Sequence, residues 1–237
     1  MDAPLLAPQH RRGRDLSIVA IVALIVVAVA AGLLAQRSRA TAADASYHGP
    51  FAPVTLTAGD TVTMAQPGIA APVLVIYEDF QCPICHDFEL ANGGAVEKLA
   101  DQGQVKVVYQ LFTIFVGSQP RQANSTRAWA AARCVPAGSW LRYHDLLYAH
   151  QPAETAGDGF AVTELLALGR RIGLTSSSFT QCVASQRYAA QIVPISNRLI
   201  KDGVNETPVV TLNGRRVSLT TLVSPSDALA RAIRAAH

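Results

Sequence analysis

Cys82-Pro83-Ile84-Cys85 is the segment of this 237-residue chain whose residue types and spacing best suit chemistry. Two sulfurs so placed can form a disulfide, pass it to another thiol, or ligate a soft metal. If Cys82 stands just before a helix, the free N–H groups and positive end of that helix stabilise a thiolate there. Its pKa then falls below the usual value of about 8.5. Pro83 suits the first helical turn, where its missing N–H is no loss. Cys85 follows by about one turn and faces the same way. A purely structural staple is disfavoured, because so short a loop closes little chain entropy. Zinc would require two more ligands at close spacing, and Cys134 and Cys182 are 48 residues apart without a second C-x-x-C. Copper capture by Cys82, Cys85 and His86 stays open, although no Met- or His-rich tract supports it. Four cysteines in an oxidising compartment favour two disulfides, with three possible pairings.

The elements that must hold this segment can be read on either side of it. Val73-Leu74-Val75-Ile76-Tyr77 is a continuous β-branched and aromatic run, expected as a central strand buried on both faces. A helix is expected from the cysteines to about Asp101, with Phe88, Ala91, Ala95, Val96 and Leu99 inward and a kink at Asn92-Gly93-Gly94. Residues 105–112 form the next strand, so strand, helix and strand make a right-handed unit with parallel strands. Residues 54–57 and 61–64 predict a short hairpin or edge strand. From 119 to 202 the period changes to 3.6, with helices near 122–134, 139–149, 160–172, 177–185 and 188–202. So long a helical stretch is an inserted subdomain rather than one crossover. The chain then returns to strands at 208–212 and 215–219, which Asn213-Gly214 turns into an antiparallel hairpin. A last amphipathic helix covers about 225–236.

The chain carries 20 Lys+Arg against 17 Asp+Glu, a net charge of +3, and half of it is apolar. That balance excludes a disordered chain. All of the excess charge lies before residue 41, in Arg11, Arg12, Arg14, Arg37 and Arg39 against Asp2 and Asp15. The remainder is neutral and offers no footprint for nucleic acid. Residues 16–35, LSIVAIVALIVVAVAAGLLA, hold no charge over twenty positions, enough at about 1.5 Å per residue to cross a bilayer core. The expected organisation is a cytoplasmic tail (1–15), a membrane anchor (16–35), a linker (36–53) and an exported domain. A cleaved signal peptide is the alternative for the first segment, with small residues near Ala40 as the cleavage site. Within the domain, 54–118 and 203–237 form the two parts of the sheet and 119–202 the insertion.

Tyr77-Glu78-Asp79-Phe80-Gln81-Cys82-Pro83-Ile84-Cys85 resembles the active-site segment of DsbA-like thiol–disulfide oxidoreductases, and Gly203-Val204-Asn205-Glu206-Thr207-Pro208 resembles their cis-proline loop. The resemblance covers roughly residues 47–237 and implies a thioredoxin fold with an inserted helical subdomain. It implies that Cys82 is the exposed sulfur attacked by substrate and Cys85 the buried resolving partner. Thr207-Pro208 would be a cis peptide beside them and, with Pro83 and Ile84, would meet an extended substrate. Glu78 matches the family's buried acid that relays protons to the second cysteine, whereas Asp79 reads as a solvated strand-end carboxylate. The lysine that often partners this acid is not assigned; Lys106 is out of register. Ile84 stands where strongly oxidising members often carry histidine. Actinobacterial, membrane-anchored relatives imply a second, structural disulfide, here Cys134–Cys182. Two buried free thiols, or a relay to Cys85, are the other readings of that pair.

The function expected is therefore a membrane-tethered oxidase that puts disulfides into exported proteins and is reoxidised by a quinone-linked membrane partner of DsbB or vitamin-K-epoxide-reductase type. No cofactor and no metal site are assigned. A reductase or isomerase of the same fold is the first alternative, and a copper-binding or holdase module the second.

Overall fold

The apolar run that follows Pro72 becomes the middle of a sheet. The structure is a computed structural model that describes residues 49–57, 60–218 and 227–236. One sheet contains β1 (Val54–Leu56), β2 (Thr61–Met64), β3 (Val73–Glu78), β4 (Lys106–Leu111), β5 (Val209–Leu212) and β6 (Arg215–Arg216), in the order β1-β2-β4-β3-β5-β6. β3 runs parallel to β4, with Val73 opposite Lys106 and Glu78 opposite Leu111, and antiparallel to β5. Parallel neighbours require a crossover. Helix α1 (Pro83–Asp101) supplies it. The two faces of β3 differ: Leu74, Ile76 and Glu78 are fully buried, while Val73, Val75 and Tyr77 are only half-covered.

Between β4 and β5 lie α2 (Arg121–Ala132), a 3₁₀ turn (Ala137–Ser139), α3 (Trp140–Ala149), α4 (Val162–Arg171), α5 (Ser177–Ala184) and α6 (Ala189–Lys201). The insertion shares one core with the sheet. Trp129, Trp140, Tyr143 and Tyr148 are buried beside Phe80, Phe88, Tyr109 and Phe112. A hydrogen bond pins it at a defined place, where the Thr113 N–H after β4 donates to Ser196 Oγ of α6 at 2.9 Å. Cys134, in the turn after α2, is bonded to Cys182 of α5 with Cα atoms 5.8 Å apart. The hairpin at the other end needs two residues with positive φ, and Asn213 (50°) and Gly214 (76°) provide them. α7 (Ala228–Arg234) buries Leu229, Ala230 and Ile233.

α1 departs from expectation. Its hydrogen-bonded helix runs through Asn92-Gly93-Gly94 without interruption. Asn92 and Glu97 lie on its buried side, whereas Ala95 faces solvent. A Cβ at Gly93 would meet only the Glu89 carboxylate, the end of a flexible side chain that can swing aside. The segment 16–35 read as a membrane span lies outside the described residues, and among those described no helix is long and apolar enough to cross a membrane.

Candidate active site

Cys82 caps α1 from an extended conformation (φ −78°, ψ 119°), and Pro83 takes the first helical position. The cap forms because Pro83 fixes its own φ and disfavours helical backbone at the residue before it. Both sulfurs are thiols and both are covered, Cys82 being 7% and Cys85 1% exposed. Cys82 is thus less open than the resemblance implied. The reason is the Thr207-Pro208 loop, a cis peptide, whose Thr207 carbonyl accepts from Cys82 Sγ at 3.4 Å. Pro83 and Ile84 are exposed next to it, Ile84 to 41%. Pro208 is buried and borders a groove with Glu206, Arg216 and Val217.

The environment pulls the two sulfurs apart electrostatically. The hydrogen bond from the Cys85 side chain lowers the Cys82 pKa most, burial opposes it, and the Thr207 side chain and Cys85 backbone add to the lowering. The balance brings Cys82 from 9.0 to about 7. Cys85 goes the other way, well above 9.0, through burial first, then the Cys82 sulfur and the charge of Glu78. Near neutral pH the ready state is therefore a Cys82 thiolate beside a Cys85 thiol.

Two carboxyls lie under this pair. Glu78 Oε1 meets His144 Nε2 at 3.0 Å, and Tyr148 Oη donates to Oε2 at 3.2 Å. His144 sits among Phe80, Tyr109, Trp140 and Tyr148, with ring centroids 5.0–5.6 Å away. Burial works against a charged imidazole there, but Glu78, Asp145 and Glu89 outweigh it and raise its pKa well above 6.5. Lys106 cannot serve Glu78, since the parallel register puts it opposite Val73 at the far end of β3.

Asp79 is not a solvated strand end. It is buried, and accepts from Gln81 N at 2.9 Å, Ile114 N at 3.0 Å and Ser125 Oγ at 2.6 Å. Burial raises its pKa to about 6 despite those donors. The strand stops at Glu78, so the next side chain is turned inward at the junction of sheet and insertion, where α2 supplies Ser125. Gln151, just past α3, donates to the Phe80 carbonyl at 2.8 Å and the Cys82 carbonyl at 2.9 Å, holding the turn from outside. His86 pairs with Asp87 at 3.3 Å.

The geometry can be set beside known proteins. The sequence profile described as thioredoxin matches residues 62–233. The chain belongs to the thioredoxin family. Among solved structures this thioredoxin-family chain is similar to the reduced form of the disulfide bond oxidoreductase DsbG from Mycobacterium tuberculosis. Identity is 32%, the TM-score 0.60, and the match covers 73% of this chain and 82% of that one. It is also similar to reduced DsbA from the same organism, at 28% identity and TM-score 0.56 over 76% of this chain and all of that one. A curated relative, the Na(+)/H(+) antiporter NhaA 3 of Salinispora tropica, is 32% identical over 147 residues, 62% of this chain. The match spans about a fifth (21%) of that relative's length, and antiport is an activity of the whole relative.

The family member described here is a DsbA-like thiol–disulfide oxidoreductase with a thioredoxin-like α/β fold and a helical insertion. Its sequence pointed to Cys82, Cys85, Glu78 and the Thr207-Pro208 loop, and the fold brings all of these together. Cys134 and Cys182 pair with each other, away from that cluster, within the insertion. His144, Tyr148 and Gln151 escaped sequence reasoning. The available signal was His144 and Tyr148 at i, i+4 on a helix face otherwise made of Trp, Leu and Tyr, polar atoms that burial obliges to find partners.

Proposed function

We propose that this chain is an extracytoplasmic thiol oxidase, anchored through residues 16–35, that introduces disulfides into exported proteins. The tail, anchor and linker before residue 54 would tether the domain, and the two sheet parts around 119–202 would form it. The observation that carries the reading is the opposed titration of the two sulfurs, with Cys82 held near 7 and Cys85 pushed far above it. A stabilised thiolate leaves readily, so a mixed disulfide on Cys82 resolves toward oxidised substrate.

A substrate thiolate attacks Cys82 Sγ of the oxidised pair and displaces Cys85 as thiolate. Cys85, whose environment favours the thiol, takes a proton through Glu78. A second substrate thiolate then attacks the substrate's own sulfur in the mixed disulfide and releases the Cys82 thiolate. The substrate loses two electrons and the enzyme gains them. A quinone-linked membrane protein of DsbB or vitamin-K-epoxide-reductase type would accept those electrons. The exposed Pro83 and Ile84, beside the Thr207-Pro208 loop, offer an apolar rim for an extended substrate.

A second reading, a reductase or isomerase, is favoured by one number. About 7 for Cys82 lies nearer thioredoxin's value, about 7, than DsbA's, about 3.5. Equilibrating the full chain with glutathione separates oxidase from reductase. An oxidase should show a Cys82–Cys85 potential between about −200 and −120 mV, and a value near about −270 mV assigns the reductase; within the first window, unscrambling of a mispaired test protein marks an isomerase.

A further inference from the structure

On the side of His144 away from Glu78, carboxyl groups gather in excess of the one imidazole that can balance them. Glu89 and Glu97 come from α1, Asp145 from α3. Ligand atoms of Glu89, His144 and Asp145 all lie within 4.8 Å of one another, with His144 Nδ1 3.3 Å from Asp145 Oδ1. Glu97 is 1% exposed, and neither of its carboxylate oxygens has a hydrogen-bond partner among the described residues. The groups it interacts with are Asp145, Glu89 and His144, so it faces into the cluster. Among the described residues no lysine or arginine is paired with Glu78, Glu89, Glu97 or Asp145.

Burying unpaired carboxyls is costly unless they take up protons or meet a positive centre, and this arrangement offers several of them, with one imidazole nitrogen, to a single ion. We propose that Glu89, His144 and Asp145, backed by Glu97, form a binding site for a divalent first-row transition-metal ion of the zinc class. One nitrogen with carboxylate oxygens suits such an ion, whereas calcium and magnesium take oxygen ligands. His144 already has the support that ligating histidines need. Its Nε2 faces Glu78 at 3.0 Å, which fixes the ring and leaves Nδ1 for the ion. A tetrahedral ion with bonds of about 2.1 Å holds its ligand atoms roughly 3.4 Å apart, so the side chains must draw in by about 1 Å. Glu89 and Asp145 are each partly exposed and have room to do so. The ion would bridge α1, which carries both cysteines, to α3 of the insertion, clamping the sheet part to the helical part behind the thiols. The site stands independently of the direction of thiol exchange.

The test uses the full chain with Cys82 and Cys85 oxidised to their disulfide, so that neither sulfur can ligate. After chelator treatment it is titrated with zinc chloride, following bound zinc per chain and the unfolding temperature. One zinc per chain and a raised unfolding temperature are expected. Glu89→Gln and Asp145→Asn, both at partly exposed positions that the fold should tolerate, should each weaken binding by at least about 10-fold, the lower end of what changing even an outer partner costs. Failure to bind zinc overturns the proposal, and so does binding of unchanged affinity in both variants. Variants that melt higher than the parent, in a parent whose stability zinc does not alter, also overturn it, by showing a cluster that merely shares protons.

Discussion

Two cysteine pairs stand in one domain, and their surroundings make them different objects. Cys82 and Cys85 sit at a helix N-terminus, three positions apart, with buried carboxyls beneath them and a carbonyl of the cis-proline loop against Cys82. Cys134 and Cys182 are separated by 48 residues and join a turn to a helix inside the insertion. The first pair closes a loop too short to constrain the unfolded chain, yet its sulfurs are electrostatically unequal. The second closes a long loop, where the constraint on the unfolded state is large. Spacing and local field, rather than residue type, separate a pair fit for exchange from a pair fit for stapling.

Substitution should separate the two pairs. The largest effect expected is loss of disulfide formation to background in Cys82→Ser, measured on a reduced test protein. Removing the other pair in Cys134→Ala/Cys182→Ala should leave exchange in place; a variant of that second pair that lost exchange while still folded would dissolve the distinction. That double variant should instead lose about 4 kcal/mol of stability in denaturant unfolding, the chain-entropy value for a loop of this length.

A smaller effect follows from Asp79. Its folded pKa is raised from 3.8 to about 6, so its contribution is fully present below about pH 4 and is lost as pH rises through 6. The loss amounts to at most about 3 kcal/mol, and the corresponding slope of stability against pH between 4 and 6 should be missing in Asp79→Asn. The smallest effect is kinetic. Iodoacetamide should alkylate Cys82 with a midpoint near pH 7 rather than 9.0. With its pKa depressed, Cys82 stabilises the reduced fold fully above pH 9, and that stabilisation fades as pH falls through 7. A midpoint of 9 would remove the electrostatic inequality claimed for the first pair.

Legibility followed range along the chain. The strand before Cys82, the helix after it and the Asn213-Gly214 turn each depend on neighbours a few positions away, and they stand where the residue pattern put them. Cys82 at the cap follows from Pro83 alone. The adjacent acids were harder to separate. Glu78 and Asp79 are both buried, and what distinguishes them is that one meets His144, 66 positions later, and the other Ser125, 46 positions later. Asn92-Gly93-Gly94 looked like a break because glycine weakens an isolated helix. In the fold packing on both sides holds the helix together.

The sequence by itself determined the closely spaced cysteine pair, its place at the start of a helix, the βαβ unit around it and the helical insertion, because hydrophobic period, capping and turn chemistry act locally. Only the tertiary structure decided how those sulfurs are tuned. Thr207, the Glu78–His144–Tyr148 cluster and the Gln151 clasp come from segments 66 to 125 residues away. A pKa depends on burial and on charges a few ångströms distant, and neither exists until the insertion closes over the sheet.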